Sequence, residues 1–260
     1  MLAVQLTSFP GPLNAAARQA AALGFAVVDV VALAERPADD RDVLAETGLA
    51  VSCAALGRGL PAGAALDAVP LDARRAAVDV VTRHLRDAAE LGATTAYLVP
   101  GSDPRPEALT AFADSCRWLA DIAQGYRIRL CVEHFPGRAL PTVSATLSWL
   151  EAVGHENLRL LLDAGHCLIS GEEPAEAALR AGPRLGYVHL DDNDGQADLH
   201  WPLLTGRLTR SQLEQLLEAL RAIGYRGAIA LELNGELPRA VEAVRAGKEL
   251  IESLGWSRRA

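Results

Sequence analysis

Lysine is almost missing from this chain. Of its 25 basic residues only Lys248 is a lysine, and it falls in the last expected helix, away from any strand end. A Schiff-base mechanism needs a lysine amine in the pocket, so that chemistry is excluded. Cysteine is sparse as well. Cys53, Cys116, Cys131 and Cys167 are scattered without paired spacing, which excludes a disulfide frame or zinc knuckle and reads as reduced thiols in a cytoplasmic protein. No apolar run approaches the ~18 residues of a membrane span. The opening MLAVQLTSFPGP lacks the basic start and long apolar run of a signal peptide. Positive charge is outweighed: 33 acidic residues leave a net charge of −8, so neither nucleic acid nor an anionic membrane is the expected partner. Low-complexity segments and breaks in composition are missing too, so residues 1–260 are expected to form one domain.

What is present is regular. Runs rich in Val, Leu and Ile recur at residues 2–7, 26–33, 49–55, 95–99, 128–132, 158–162, 186–190 and 228–233. They are continuous rather than alternating, as expected of strands covered on both faces. Helical stretches lie between and after them at 13–23, 38–47, 72–91, 105–124, 142–153, 172–182, 209–223 and 237–254. Asn14, Asp72, Thr142, Thr209 and the Pro238 region supply start signals, and Gly24, Gly48, Gly92, Gly125, Gly154, Gly182 and Gly224 supply stops. Eight strand–helix units in about 250 residues predict an α/β chain folded as a single (β/α)8, or TIM, barrel rather than a doubly wound open sheet. The longest non-helical connections, 56–71 and 191–208, both follow strands and are expected to wall the catalytic face.

Four residues of metal-ligand type end four successive expected strands. Glu133 closes RLCVEH, Asp163 follows LRLLL, His189 lies in GYVHLDD and Glu232 in AIALELNG, with gaps of 30, 26 and 43 residues. A barrel of parallel strands aims its C-terminal strand ends at one pocket, so three carboxylates and an imidazole arriving there describe a divalent cation site. Each residue alone has a plainer reading. Glu133 or Asp163 would serve as well in a salt bridge to an arginine, since a buried carboxylate must be paired, protonated or metal-bound. His189 would serve as a satisfied core histidine, and His166, three residues after Asp163, as a helix cap. Together, however, the four strand ends favour a shared ion. Three oxygens and one nitrogen leave two positions of an octahedral shell open, which favours Mn2+, Mg2+ or Co2+ over a closed tetrahedral Zn2+ site. In the loop after the seventh strand, Asp198 and His200 form a D-x-H pair that either reaches over the pocket or stays solvated. Trp201 either walls a small substrate or packs the loop, and Arg207 either meets a phosphate or lies in solvent.

These strings resemble the xylose-isomerase-like superfamily of sugar phosphate isomerases and epimerases, which includes the class II AP endonucleases. The likeness runs over nearly the whole chain and is strongest from Glu133 to Glu232, through the D-x-x-H of Asp163–His166, the HLDDND run from His189 and the LEL strand at Glu232. The resemblance implies that Glu133, Asp163, His189 and Glu232 bind one Mn2+, Mg2+ or Co2+, that the two glutamates move protons, and that His166 contacts substrate. A homodimer or homotetramer is the assembly it implies. Two departures stand out. Gly195 occupies the position, six residues after the metal histidine, where the ketose 3-epimerases of the superfamily carry an arginine; Arg207 is a candidate replacement. The endonucleases use three zincs, and this chain lacks their two histidines at the ends of strands two to four, although it keeps matches to Asp198 and His200.

The implied reaction is proton transfer through an enediolate. Glu133 and Glu232 would flank a carbon chain, one removing the α-proton and the other returning it on the opposite face, giving epimerisation; return to the adjacent carbon gives aldose–ketose isomerisation. The expected substrate is a keto sugar, a sugar phosphate or a keto-cyclitol. The alternative is a metal-dependent dehydratase of the inosose or dehydroshikimate type, in which the same enediolate expels a β-hydroxyl. A non-catalytic sugar-binding barrel is the third reading.

Overall fold

The computed structural model describes residues 1–256. Among them, eight parallel strands close into a barrel in strict chain order: β1 (Leu2–Gln5), β2 (Val27–Val31), β3 (Ala50–Ala55), β4 (Thr95–Leu98), β5 (Arg129–Glu133), β6 (Leu158–Asp163), β7 (Leu185–Leu190) and β8 (Ile229–Leu231). β8 returns to β1 with Leu2 opposite Ile229 and Val4 opposite Leu231. The helices around it are α1 (Leu13–Ala22), α2 (Ala38–Thr47), α3 (Leu71–Glu90), α4 (Pro106–Gly125), α5 (Val143–Val153), α6 (Ala164–Ser170), α7 (Pro174–Ala181), α8 (Arg210–Ala222) and α9 (Ala240–Ser253). The expected (β/α)8 barrel is therefore the fold.

The two-residue period of a strand separates two cores. On β6, Leu158, Leu160 and Leu162 belong to the layer between sheet and helices. Leu161, one step out of phase, faces the lumen together with Ala3, Cys53, Tyr97, Cys131, Tyr187 and Ala230. Parity then dictates where the strand-end residues point. Glu133 is in phase with Cys131, Asp163 with Leu161, His189 with Tyr187 and Glu232 with Ala230, so all four aim along the lumen. No apolar run alternates visibly because both phases are buried, the outer under helices and the inner by a lumen of small residues and two tyrosines.

Several expected boundaries shift for identifiable reasons. β1 ends at Gln5, and Leu6–Ser8 form a 3-10 turn that lets the buried Ser8 hydroxyl accept from the Leu233 amide at 2.9 Å. The helix expected at 172–182 shrinks to α7, while α6, absent from the sequence reading, begins directly after β6; Asp163 caps it by accepting from the His166 amide at 2.7 Å. Asn14 does not cap α1, which starts behind Pro12, a residue whose ring presets φ. α9 starts at Ala240, behind a left-handed Arg239 rather than a cap in the Pro238 region. Gly125 is the last residue of α4, but the left-handed turn falls on Arg127 (φ 61°), which sends the Ile128 amide back to the Ala123 carbonyl and buries Ile128. Thr142 and Thr209 cap their helices as expected, Thr209 in a reciprocal capping box with Gln212.

Candidate metal centre

Glu133, Asp163, His189 and Glu232 meet at the C-terminal mouth of the barrel. One ligand atom from each lies within 4.8 Å of all the others. The sheet register produces this directly, since Asp163 pairs with His189 across β6 and β7 and the Glu232 amide continues that ladder by donating to the Leu190 carbonyl at 3.1 Å. His189 Nδ1 lies 2.5 Å from Glu232 Oε2 and 3.7 Å from Glu133 Oε1.

The fit to a cation is testable on the side chains themselves. Buried polar atoms in proteins are almost always hydrogen-bonded. Here Asp163 Oδ2 and both ring nitrogens of His189 are buried, and among the described residues none has a hydrogen-bond partner. Carboxylate oxygens approach the imidazole closely without forming hydrogen bonds to it. Unpaired donor atoms of hard-ligand type gathered within 4.8 Å suit a divalent cation. The electrostatics agree. Burial pushes the Glu133 carboxyl up. Burial also opposes ionisation of Glu232, but the facing His189 outweighs it and brings that carboxyl down to about 2. For His189, burial works against protonation, yet Glu232, Asp29 and Glu133 raise its pKa well above the usual imidazole value. The cluster draws positive charge to itself.

Two supports were not read from the sequence. Asp29 on β2 is fully buried, receives the Tyr187 hydroxyl at 2.7 Å and the Ser52 hydroxyl at 2.5 Å, and sets its other oxygen 3.6 Å from His189 Nε2. A carboxylate behind a metal-ligand imidazole fixes its orientation and raises its basicity. An acidic residue in the middle of an apolar strand is the signal that marks it. His134, next to Glu133, accepts the Asp163 amide at Nε2 (3.2 Å), and its backbone carbonyl lies 2.9 Å from His166 Nδ1. Burial and the neighbouring His166 push its pKa down to about 3, so it serves as a neutral acceptor.

His166 sits beside the four-residue set rather than within it. Its Nδ1 is 3.8 Å from Glu133 Oε1 and its Nε2 is 3.4 Å from Asp198 Oδ1. The D-x-H pair does reach over the mouth. Asp198 and His200 join the buried Asp191 in a second group of ligand-type atoms, with His200 Nδ1 2.9 Å from Asp191 Oδ2 and Nε2 3.3 Å from Asp198. Burial disfavours a charged His200, but Asp191 and Asp198 prevail and push its pKa up to about 12.

The 191–208 loop is held by Asp192, which accepts from the amides of Asn193 (2.8 Å), Gly206 (2.7 Å) and Leu208 (2.8 Å). Trp201 forms a two-residue antiparallel bridge with Asp192, which places its backbone in the loop's own scaffold. Arg207 is exposed and packs over Gly195, where a Cβ would lie 3.3 Å from Arg207 Cγ. The arginine candidate and the glycine that departs from the epimerase pattern are thus neighbours in space. At Gly165, beside the cluster, close approach demands glycine: its amide donates to Asp191 Oδ1 at 2.9 Å, and a side chain there would collide with that carboxylate.

A cavity of about 410 Å3 opens on the side of the 56–71 loop, lined by Arg58, Asp67, Tyr97, Val99, Phe135 and Arg138 among others. It adjoins the cluster, because the Tyr97 ring meets His189 edge-on at 5.2 Å and Phe135 lies 4.3 Å from the His166 ring. The expectation that the 56–71 segment walls the pocket is met by Leu56, Arg58 and Asp67.

Comparison with known proteins places the chain in a family. The chain is 28% identical over 121 residues, 44% of its length, to a D-psicose 3-epimerase of Agrobacterium fabrum, and that stretch is 38% of the epimerase. It is 34% identical over 83 residues, 31% of its length, to an inosose dehydratase of Serratia proteamaculans, of which the match covers 28%. The chain therefore spans less than half the length of these relatives. In three dimensions it superposes on a D-allulose 3-epimerase from Methylomonas sp. with a TM-score of 0.84, covering 97% of each chain at 20% identity, a likeness of fold. The sequence model of the xylose isomerase-like TIM barrel family matches residues 17–260, and the chain belongs to that family.

Proposed function

We propose that this chain is a divalent-metal-dependent epimerase or isomerase that moves a proton on a keto sugar, a sugar phosphate or a keto-cyclitol through an enediolate. The observation that carries this reading is the convergence of Glu133, Asp163, His189 and Glu232 within 4.8 Å beside a cavity of sugar size. Those four side chains would hold the ion, with Mn2+, Mg2+ or Co2+ suited to three oxygen donors and one nitrogen. When bound, a divalent cation supplies Lewis-acid polarisation of a ketone and stabilises negative charge developing on its oxygen.

The chain's own residues would do the rest. Glu133 ends β5 and Glu232 directly follows β8, on different sides of the mouth. One carboxylate removes the proton next to the ketone and the other returns a proton to the opposite face. Asp163 is left to the ion: one oxygen caps α6 and the other stays free for the cation. His166, between Glu133 and Asp198, would hold a substrate hydroxyl. Asp198 and His200 would close the pocket from the 191–208 loop, and Tyr97 and Phe135 would exclude water from the carbon chain. Trp201 and Arg207 are assigned to the same loop wall.

A dehydratase is the second reading, favoured by the inosose dehydratase among the relatives. One experiment separates the two. Metal-loaded protein is incubated in D2O with ketoses, ketose phosphates and inososes, and the products are followed by NMR. Deuterium at the α-carbon with an epimeric or isomeric product supports the proposal. A new enone ultraviolet band with loss of water assigns the dehydratase instead. Ligand binding without any deuterium incorporation would leave a sugar-binding barrel.

A further inference from the structure

The barrel has a second mouth, and its chemistry is opposite to the first. At the N-terminal ends of the strands lies a cavity of about 740 Å3, larger than the 410 Å3 cavity beside the cluster. Its wall carries Arg127, Arg129, Arg159 and Arg226, and no aspartate or glutamate. Arg129 opens β5 and Arg159 is the second residue of β6, so each of these strands carries an arginine at one end and a carboxylate at the other. The chain as a whole has more acidic than basic residues, 33 against 25. Four guanidinium groups around one acid-free hollow run against that balance.

These arginines lack the carboxylate partners that others in the chain have. Arg18, Arg36, Arg41, Arg105, Arg180 and Arg210 each form an ion pair. Among the described residues, no ion pair is made by the four at the N-terminal mouth. Arg129 donates to the Gly186 carbonyl at 3.4 Å and Arg159 to the carbonyls of Glu156 and of Leu158, the latter at 3.0 Å. Backbone carbonyls orient a guanidinium but leave its charge uncancelled. The repulsion is felt: burial, then Arg184 and Arg129, push the Arg159 pKa down. Glu156, exposed beside Arg159, opposes this only weakly.

We propose that the N-terminal mouth is a second binding site, for a small anion carrying two or more phosphate groups, gripped by Arg127, Arg129, Arg159 and Arg226. Guanidinium forks match phosphate oxygens two at a time, and each such pair adds direction as well as charge. Four of them around one hollow suit an ion of several negative charges better than a single carboxylate. The recess admits a small molecule, whereas a nucleic-acid backbone is tracked by an open basic stripe, and the net charge of −8 would repel it. This site is independent of the reaction assigned to the opposite mouth.

The test uses the full chain in EDTA, so that the metal cluster captures no phosphate. Inorganic pyrophosphate is titrated by calorimetry at low salt. Saturable binding with a dissociation constant below roughly 1 mM, at least about tenfold weaker for inorganic phosphate and at least about tenfold weaker in Arg129→Ala/Arg159→Ala, supports the site. Because Arg159 lies on a barrel strand, the exposed pair Arg127→Ala/Arg226→Ala provides the same readout in a variant that keeps the core intact. Arg58→Ala/Arg138→Ala, at the other mouth, should bind pyrophosphate as the unaltered chain does. No saturable binding, unchanged affinity in Arg127→Ala/Arg226→Ala, equal affinity for phosphate and pyrophosphate, or loss confined to Arg58→Ala/Arg138→Ala would each overturn the proposal.

Discussion

Adding a divalent cation should raise the melting temperature of this protein, and the size of the rise follows from the cluster. Glu133, Asp163 and His189 are 3%, 0% and 0% exposed, and the Glu232 side chain is 12% exposed. Three carboxylates separated by no more than 4.8 Å repel one another by about 3 kcal/mol per pair at an effective dielectric constant near 20. One imidazole offsets part of that, and the remainder is released when a doubly charged ion enters. The unfolded chain has no such arrangement, so the binding energy becomes folding energy. At a hundredfold excess over the dissociation constant, the gain is about 2.7 kcal/mol. For a chain of this size that corresponds to a rise of roughly 5–10 °C. The assay is differential scanning calorimetry of EDTA-treated protein with and without MnCl2, MgCl2 or CoCl2. Asp163→Asn supplies the control. Asparagine caps a helix as well as aspartate does, so α6 keeps its start while the cluster loses a charged oxygen, and the metal-dependent rise should vanish. A full rise in Asp163→Asn, or a rise below about 2 °C with all three ions in the unaltered chain, would refute the reasoning.

Other expectations follow from the same geometry. Glu133→Gln and Glu232→Gln should each cut α-deuteration in D2O by at least about a hundredfold, as measured by NMR; full turnover in both would end the proton-transfer assignment. Asp29→Asn should weaken metal affinity by about 10–100-fold in competition against a fluorescent chelator, and unchanged affinity would show that the contact to His189 Nε2 does not orient the ring. Asp192→Ala orphans the amides of Asn193, Gly206 and Leu208 and should cost about 2–4 kcal/mol in denaturant titration. The same change should speed hydrogen exchange across 191–208, and protection equal to that of the unaltered chain would contradict the anchoring role.

The parts of the site legible in the sequence were those with two signals at once, a ligand-type residue and the end of an apolar run. Glu133, Asp163, His189 and Glu232 had both, and the structure brings all four together. Asp198 and His200 were legible as a pair, though only the fold shows that Asp191 completes their group. Asp29 lacks the second signal because it lies inside a strand, where its partners Ser52 and Tyr187 are 23 and 158 residues distant. Sequence spacing carries no trace of such contacts. The short α6 is hidden in the sequence because its start signal is Asp163, which reads there as a ligand or a salt-bridge partner, whereas one carboxylate caps the helix and faces the cluster at once. Arg127, Arg129, Arg159 and Arg226 share no motif or spacing in the sequence, since only barrel closure collects them around one hollow.

Glu232 comes directly after the strand that shuts the ring. β8 meets β1 through Leu2, Ala3 and Val4, whereas every other neighbour in the barrel is also the neighbour in sequence. That last seam joins the most distant segments and is the slowest kind of contact to form. A nascent barrel that has laid down seven strands already owns Glu133, Asp163 and His189, yet nothing opposes them from the eighth. Circularity and the full set of four converging side chains thus arrive in the same event, and a chain whose seam has sprung loses the cluster before it loses the rest of the barrel.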